Sequence, residues 1–157
     1  MQTMRLTVLL AATITTGMMA GLFYAYSISV MPALRGADAA VLVEVMQRIN
    51  RAITNGWFFL CFAGALVFSA AATVLYAIDG PAEVLLPTAI GLVLYAGQLV
   101  LTAGLHIPLN NALEAAGSAD PAAARRAFEP RWVRWNHART LLCTGSFVSL
   151  CGALAQV

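Results

Sequence analysis

The sequence lacks lysine and has few charged residues of any kind. Only 10% of its 157 residues are charged, whereas an ordinary soluble domain has about 25%. The net charge of +2 gives no indication of a nucleic-acid partner. The three cysteines are odd in number and form no CxxC pair, so they predict packing roles and no disulfide framework. There is no phosphate-binding glycine loop, nucleophile elbow or HExxH motif, and the two histidines lie far apart, so no metal site and no cofactor are predicted.

Long apolar blocks take the place of the missing charges. Hydrophobic residues make up 61% of the chain, and residues 6–34, 52–78, 84–105 and 140–157 carry no charged side chain. A helix needs roughly 20 such residues to cross the hydrocarbon of a bilayer. The first block is longer than the apolar region of a signal peptide and is interpreted as a retained span. We therefore expect an all-α fold: a four-transmembrane-helix bundle with short cytoplasmic helical extensions, forming a single domain over residues 1–157.

The arginines predict the orientation of this bundle in the membrane. Eight of the nine lie in the connections after the first and third spans, and only Arg5 lies on the other side. Because arginine-rich short loops stay in the cytoplasm, both termini are expected outside and both long connections inside a bacterial-type inner or plasma membrane.

Local patterns predict the helices of the connections. The four-residue spacing of Val41, Val45, Ile49 and Ile53 favours a helix that begins near Asp38 and continues into span two. The "DGP" turn at residues 79–81 makes spans two and three a hairpin. Pro108 predicts a kink or break in span three. A short helix is expected to stop at Gly117, "SADP" to cap another helix near Pro121, and the last helix to begin near Pro130.

Two features of the spans concern packing and polarity. Gly17 and Gly21 form a GxxxG pair, which serves helix packing within the bundle or, alternatively, homo-oligomerisation. Span three carries a narrow polar stripe, and span one an inward-facing polar face that includes Tyr24 and Ser27. Polar groups at this depth either bond neighbouring helices or line a site, and both readings stay open. The stripe consists of Tyr95, Gln98, Thr102 and His106.

Four polar-rich segments are predicted to meet at the cytoplasmic end of the bundle. They are "SVMPALR", "MQRINRAITN", "HIPLNNAL" and "RWVRWNHART". Facing helices of a bundle commonly build a ligand site there. In the last segment we interpret Trp132, Arg131 and Arg134 as interfacial anchors. Trp132, Trp135, Asn136 and Arg139 follow the i, i+3, i+4, i+7 spacing of one helical face. Of these, Trp135, Asn136 and Arg139 are interpreted as a pocket wall, because an asparagine adds nothing to anchoring.

Together, "GLFYAYSISVMPALR", "MQRINRAITNGWF", "TAGLHIPLNNAL" and "RWVRWNHARTL" resemble the anthrone oxygenase-like family of small four-helix membrane proteins. The resemblance implies oxidation of an anthrone to an anthraquinone by O₂ without an added cofactor. Where the family's motif has an asparagine ahead of "PLN", this chain has His106. The resemblance marks Tyr26 or its neighbour Tyr24, Pro32, Asn50, Asn55, Pro108, Asn110, Trp135, Asn136 and Arg139.

Two hypotheses of different kinds follow. The first is an O₂-using oxidation of a flat, apolar, phenolic molecule that enters from the lipid bilayer. In this hypothesis His106 is the base, Asn110, Asn136 and Arg139 donate to the substrate anion, and Trp132, Trp135 and Tyr24 stack on its rings. Further substrate-binding candidates are Ser27, Asn50, Asn55, Gln98 and Thr102. The second hypothesis is a non-catalytic bundle that binds a lipophilic ligand or serves as an accessory subunit of a membrane complex.

Overall fold

The computed structural model describes residues 1–117 and 119–157, and these residues form helices and no strands. The α-helices are α1 (Gln2–Ala25), α2 (Met31–Arg35), α3 (Ala39–Ile53), α4 (Gly56–Asp79), α5 (Ala82–Leu101), α6 (Ile107–Ala116) and α7 (Pro121–Leu154). Helices α1, α4, α5 and α7 pack in a ring in that order, each against two neighbours. The short helices α2, α3 and α6 gather with the first half of α7 at one end of this ring. We call this end the cap.

The helices are long and apolar enough to make this an integral membrane protein. Three continuous helical stretches, Gln2–Arg35, Gly56–Asp79 and Ala82–Ala116, qualify as membrane spans by length and composition. Large apolar side chains such as Ile14, Val67 and Val93 point outward from them, as they would toward lipid. The apolar half of α7 exposes Leu141 and Val148 in the same way, but its crossing of the membrane stays a prediction, as do the sides on which the termini and loops lie.

Two of the predicted helix boundaries are wrong. The helix after Asp38 does not continue into span two, because α3 ends at Ile53 and α4 begins afresh at Gly56. The Asn55 side chain caps the new helix by accepting a hydrogen bond from Phe58 N at 3.1 Å. The last helix begins at Pro121 instead of Pro130 and passes through Pro130 without a break. Pro130 lies on the exposed side of α7, where water can satisfy the carbonyl group that proline leaves unpaired.

Other predicted boundaries agree with the structure. Gly80 and Pro81 alone separate α4 from α5, which makes the expected hairpin. Gly117 ends α6 with a φ of 58°, a value that suits glycine. Asp120 caps α7 by accepting from Ala123 N at 2.9 Å, while Ser118 of the same motif lies outside the described residues.

Two π-helical turns mark where the first and third spans enter the cap. They cover Tyr26–Val30 and Thr102–His106, and each is followed by a helix with proline at its second residue. In a regular α-helix the proline ring would clash with the carbonyl group four residues earlier, and the wider turn accommodates it. The chain around Pro108 is therefore a π-helical turn within a continuous helix and not a break. π-Helical turns are frequent at functional sites.

A hydrophobic cluster holds the cap together. Leu42 and Met46 of α3, Leu113 of α6, and Phe128 and Trp132 of α7 are buried against one another. The buried face of α3 is thus centred on Leu42 and Met46 and not on Val41, which is exposed. Hydrogen bonds support the cluster, since Gln47 Nε2 donates to Leu113 O at 2.8 Å.

The opposite end of the bundle and its middle are fixed by close contacts. Arg5 pairs with Asp79 across α1 and α4 at 3.0 Å. Gly17 faces the ring of Phe147 on α7, so a Cβ there would lie 2.8 Å from Phe147 Cε2, whereas nothing lies within 4 Å of Gly21. Gly17 therefore serves packing within the bundle. A role of the Gly17/Gly21 face in homo-oligomerisation stays a prediction. The oligomeric state stays a prediction.

Candidate functional site

A cavity of about 480 Å³ lies where the cap meets the bundle. Three of the four polar-rich segments contribute to it: "MQRINRAITN" at the junction of α3 and α4, "HIPLNNAL" at the second π-helical turn and α6, and "RWVRWNHART" in the middle of α7. The first span contributes Phe23 and Tyr26, which precede "SVMPALR", so the prediction that this segment belongs to the site is wrong. Its volume falls in the range of roughly 300–1,000 Å³ that is typical of small-molecule sites. Aromatic side chains form much of the wall, namely Phe23, Tyr26, Phe58, Phe59, Phe62 and Trp132.

His106 lines this cavity from the second π-helical turn and is 1% exposed. Its Nδ1 lies 3.4 Å from Leu101 O. Because a carbonyl oxygen only accepts, this contact favours the tautomer with the proton on Nδ1. Nε2 then carries the lone pair, and this atom is covered and has no hydrogen-bond partner. The imidazole stands edge-on to Trp132, with the ring centroids 5.5 Å apart.

Arg139 lines the same cavity and is 7% exposed. Its guanidinium group lies 4.0 Å from the centroid of the Phe23 ring and 5.7 Å from that of Trp132. Nη2 donates to Asn136 Oδ1 at 2.7 Å, while Nε has no partner. Among the residues that the structure describes, no carboxylate pairs with this charge. A buried arginine without a counterion is costly, and such a charge is ready to receive an anion.

Asn136 is hydrogen-bonded to Arg139 and does not line the cavity. Its Nδ2 donates to Phe23 O at 3.1 Å and to Ser27 Oγ at 2.9 Å, and its Oδ1 accepts from Arg139. Both amide hydrogens are thus used within the protein. The prediction that Asn136 donates to a substrate anion is therefore corrected, since its amide group bonds only to the protein. Ser27 belongs to the same network through a 3.2 Å contact with Thr140 and does not line the cavity.

Asn110, Trp132, Thr102 and Asn50 line the cavity, as the sequence predicts. Trp132 Nε1 donates to Asn110 Oδ1 at 3.0 Å, which fixes both side chains. Trp132 is therefore a wall residue and not a membrane anchor. Asn50 Nδ2 is covered and has no partner. Gln98 lies outside the lining, and its Oε1 is 3.2 Å from the Thr102 hydroxyl group.

Three predicted substrate-binding residues lie elsewhere. Tyr24 is 54% exposed on the outer surface, because it is two residues away from the inward-facing Tyr26 on a helical turn. Trp135 does not line the cavity. The Arg134 guanidinium group lies over the Trp135 ring, with Cζ 5.7 Å from the ring centroid. Asn55 is exposed and caps α4. Trp132, which was interpreted as an anchor, thus lines the cavity, whereas Trp135, which was interpreted as part of the pocket wall, does not.

The exposed residues of the lining come from the junction of α3 and α4 and from α6, and we call them the mouth of the cavity. Arg51 and Glu114 of the mouth form an ion pair at 2.5 Å. Phe59 and Ile107 of the mouth are apolar and about half exposed. Ile107 precedes Glu114 by seven residues, or about 10 Å along the helix. The mouth therefore has a polar part and an apolar part.

The sequence reasoning missed much of the aromatic wall. Phe58 and Phe62 are four residues apart at the start of α4, next to the recognised Asn55. Their spacing, the i and i+4 pattern of one helical face, could have identified them. Glu114, which the sequence analysis does not single out, belongs to the mouth. Within residues 1–117 and 119–157, no group of three or more His, Cys, Asp or Glu side chains could hold a metal ion.

The fold and the cavity define a membrane-type helical bundle with a largely aromatic cavity at one end. A family model described as "Anthrone oxygenase" matches residues 57–149, and the chain belongs to this family. The match includes His106, Asn110, Trp132, Asn136 and Arg139, whereas α1 and α3 lie outside it. No curated protein and no solved structure matches the chain.

Proposed function

We propose that this protein catalyses a cofactor-independent, anthrone oxygenase-like oxidation of a flat, apolar phenolic substrate of the polyketide type by O₂. The overall reaction converts a ring methylene group and O₂ to a ketone and water. The observation that carries the proposal is the pair of buried groups in one aromatic cavity: His106 without a partner on Nε2, and Arg139 without a counterion.

His106 acts as the base in this proposal. The methylene hydrogens of an anthrone are acidic because the resulting anion is delocalised over three rings and the opposite carbonyl oxygen. Nε2 takes one of these protons, for which the Leu101 contact supplies the required tautomer. Because Nε2 is covered, a substrate must displace a neighbouring side chain to reach it.

Arg139 stabilises the anion that forms. Its charge lies in a buried, largely apolar setting, where electrostatic stabilisation is stronger than in water. Asn136 keeps the guanidinium group in place, so little reorganisation is needed when the anion appears. Since His106 and Arg139 both lie against Trp132, they act on the same region of the cavity.

The steps balance without a further redox partner. The anion transfers an electron to O₂, and a carbon–oxygen bond forms to give a peroxide. The protonated His106 returns its proton to the distal peroxide oxygen. Loss of the remaining hydrogen from carbon, with cleavage of the O–O bond, gives the ketone and water. One oxygen atom of O₂ thus enters the product and the other leaves as water.

The mouth supports a substrate that arrives from the bilayer. Phe59 and Ile107 are the apolar part of the mouth, while Arg51 and Glu114 form an ion pair at its polar part. A flat lipophilic molecule would enter between the former pair.

The test is turnover of an anthrone under ¹⁸O₂ by the purified protein in mild detergent, with product analysis by mass spectrometry. We expect one labelled oxygen atom in the quinone. The variant His106→Gln, which keeps a polar side chain of similar size but has no base, should lose about 10²–10⁴-fold in rate while its melting temperature stays close to that of the wild type. Full activity of the folded variant would remove His106 from the role of base. Tight anthrone binding by the wild type without turnover would favour the non-catalytic, lipophile-binding hypothesis.

A further inference from the structure

A second concave surface lies on the opposite side of α7 from the cavity. It is an open groove of about 550 Å³ between the end of α2 and α7. At 100° per residue, its lining residues Pro130, Val133, Arg134 and His137 point away from the cavity residues Trp132 and Arg139. The groove and the cavity are therefore separate sites on two faces of one helix. We call it the α2–α7 groove.

The charge of the α2–α7 groove is predominantly positive. Arg35 of α2 and Arg134 of α7 both line it, and neither has an ion-pair partner in the described ranges 1–117 and 119–157. Glu129, the acidic residue of the lining, is already paired with Arg125 at 2.6 Å. His137 adds a hydrogen-bonding ring at the same wall. Two free guanidinium groups facing one groove are suited to a phosphate group.

The depth of the groove matches a lipid headgroup. Arg35 is the last residue of the first candidate span, so the groove begins where that span ends. Seven residues after Arg134, on the same face of α7, Leu141 is 74% exposed and begins an uncharged stretch. Seven residues correspond to about 10 Å along a helix. Trp135, beneath the Arg134 guanidinium group, is a residue typical of the membrane interface.

We propose that the α2–α7 groove binds the phosphate group of an anionic glycerophospholipid, with Arg35 and Arg134 as the main contacts and the acyl chains along the exposed apolar surface near Leu141. The site is independent of the proposed oxidation, since its residues do not line the cavity.

The loss of the two arginines can be tested against a charge-matched control. Arg35→Gln/Arg134→Gln removes both groove charges and no ion pair, and the contact of Arg125 with Arg35 uses the backbone oxygen, which the substitution keeps. Arg126→Gln/Arg131→Gln removes two exposed charges from the same helix outside the groove. Each basic group near an anionic membrane surface strengthens binding about fivefold, so the loss of both arginines should weaken binding about thirtyfold.

The measurement is native mass spectrometry of the delipidated full chain titrated with phosphatidylglycerol, phosphatidylcholine or inorganic phosphate. We expect the wild type and the control variant to retain phosphatidylglycerol in preference to phosphatidylcholine, and the groove variant to bind it about thirtyfold more weakly. Equal losses in both variants would overturn the site in favour of general surface charge. Binding of inorganic phosphate that competes fully with the lipid would overturn the lipid assignment. A melting curve of each variant checks its fold, and an unfolded groove variant would be replaced by Arg134→Gln alone with the same expected direction.

Discussion

Replacement of Arg139 by methionine separates a functional from a structural role for this buried charge. The change removes the hydrogen bond to Asn136, which leaves an amide oxygen unpaired at a cost of about 1–3 kcal/mol. It also removes the cation–π contact with Phe23, worth about 0.5–2 kcal/mol. Against these losses stands the relief of several kcal/mol of desolvation for an ion without a counterion. Methionine keeps apolar contact with both rings.

The two sets of terms nearly cancel, so we expect a melting temperature within a few degrees of the wild type, at about 2–4 °C per kcal/mol. Turnover of an anthrone, followed by O₂ uptake, should fall by about 10²–10³-fold, the usual cost of losing one anion donor. Arg139→Lys keeps the charge but loses the planar fork and should recover part of the activity. Strong destabilisation by about 3–5 kcal/mol with normal specific activity of the folded fraction would refute the reasoning, because it is the result expected of a structural charge.

Three further predictions concern residues around the site and the bundle. Tyr26→Leu should raise KM for an anthrone several-fold in steady-state assays, whereas Tyr24→Leu, on the outer surface, should leave it unchanged; equal effects would contradict the placement of the cavity wall. Asn136→Asp should pair with the neighbouring guanidinium group and lower turnover while keeping the fold, and unchanged turnover would argue against a free cation as the anion receptor. Gly91→Val should destabilise the bundle by about 1–3 kcal/mol in thermal denaturation, because a Cβ there meets a leucine of α7 at 3.0 Å; Gly21→Ala, with nothing within 4 Å, should not.

The variant Asn136→Ala cannot separate a functional from a structural role of this asparagine. Loss of stability on Asn136→Ala would at first suggest a purely structural asparagine. However, the side chain makes hydrogen bonds to Phe23, Ser27 and Arg139, so its removal leaves several buried groups unpaired in either case. Asn136→Ala is therefore expected to lower the melting temperature whatever the function, and Arg139 is the better residue for the comparison.

Membrane helices and their meeting point could be predicted from the sequence because the signals are long or cumulative. Absent charge over about 20 residues defines a span whatever the details, and alternation of the spans brings four particular segments to one end. That argument predicted a site containing His106, Asn110 and Arg139 together.

Finer assignments failed where two local signals compete. Apolar spacing across Ile53 favoured one long helix. However, the Asn55 side chain accepts a hydrogen bond from Phe58 N, and a new helix starts there. Pro130 resembled a helix start, but α7 continues through it, and at this exposed position water can bond the carbonyl group that the proline leaves unpaired. The faces of Trp132 and Trp135 could not be separated by spacing alone, since either can point inward with Arg139 on a helical wheel. The hydrogen bond from Trp132 to Asn110 fixes the rotation of α7.

The most direct test of the proposed chemistry is an anaerobic titration of the purified protein with an anthrone, followed by absorption spectroscopy. Without O₂ the reaction must stop at the anion that His106 generates and Arg139 stabilises. We predict that the anion's absorption appears with the wild type at a pH where free anthrone stays neutral, disappears on admission of O₂, and is absent with His106→Gln. An unchanged neutral spectrum with a wild-type protein that is active in air, or an equal anion signal with the variant, would contradict catalysis by this pair of residues.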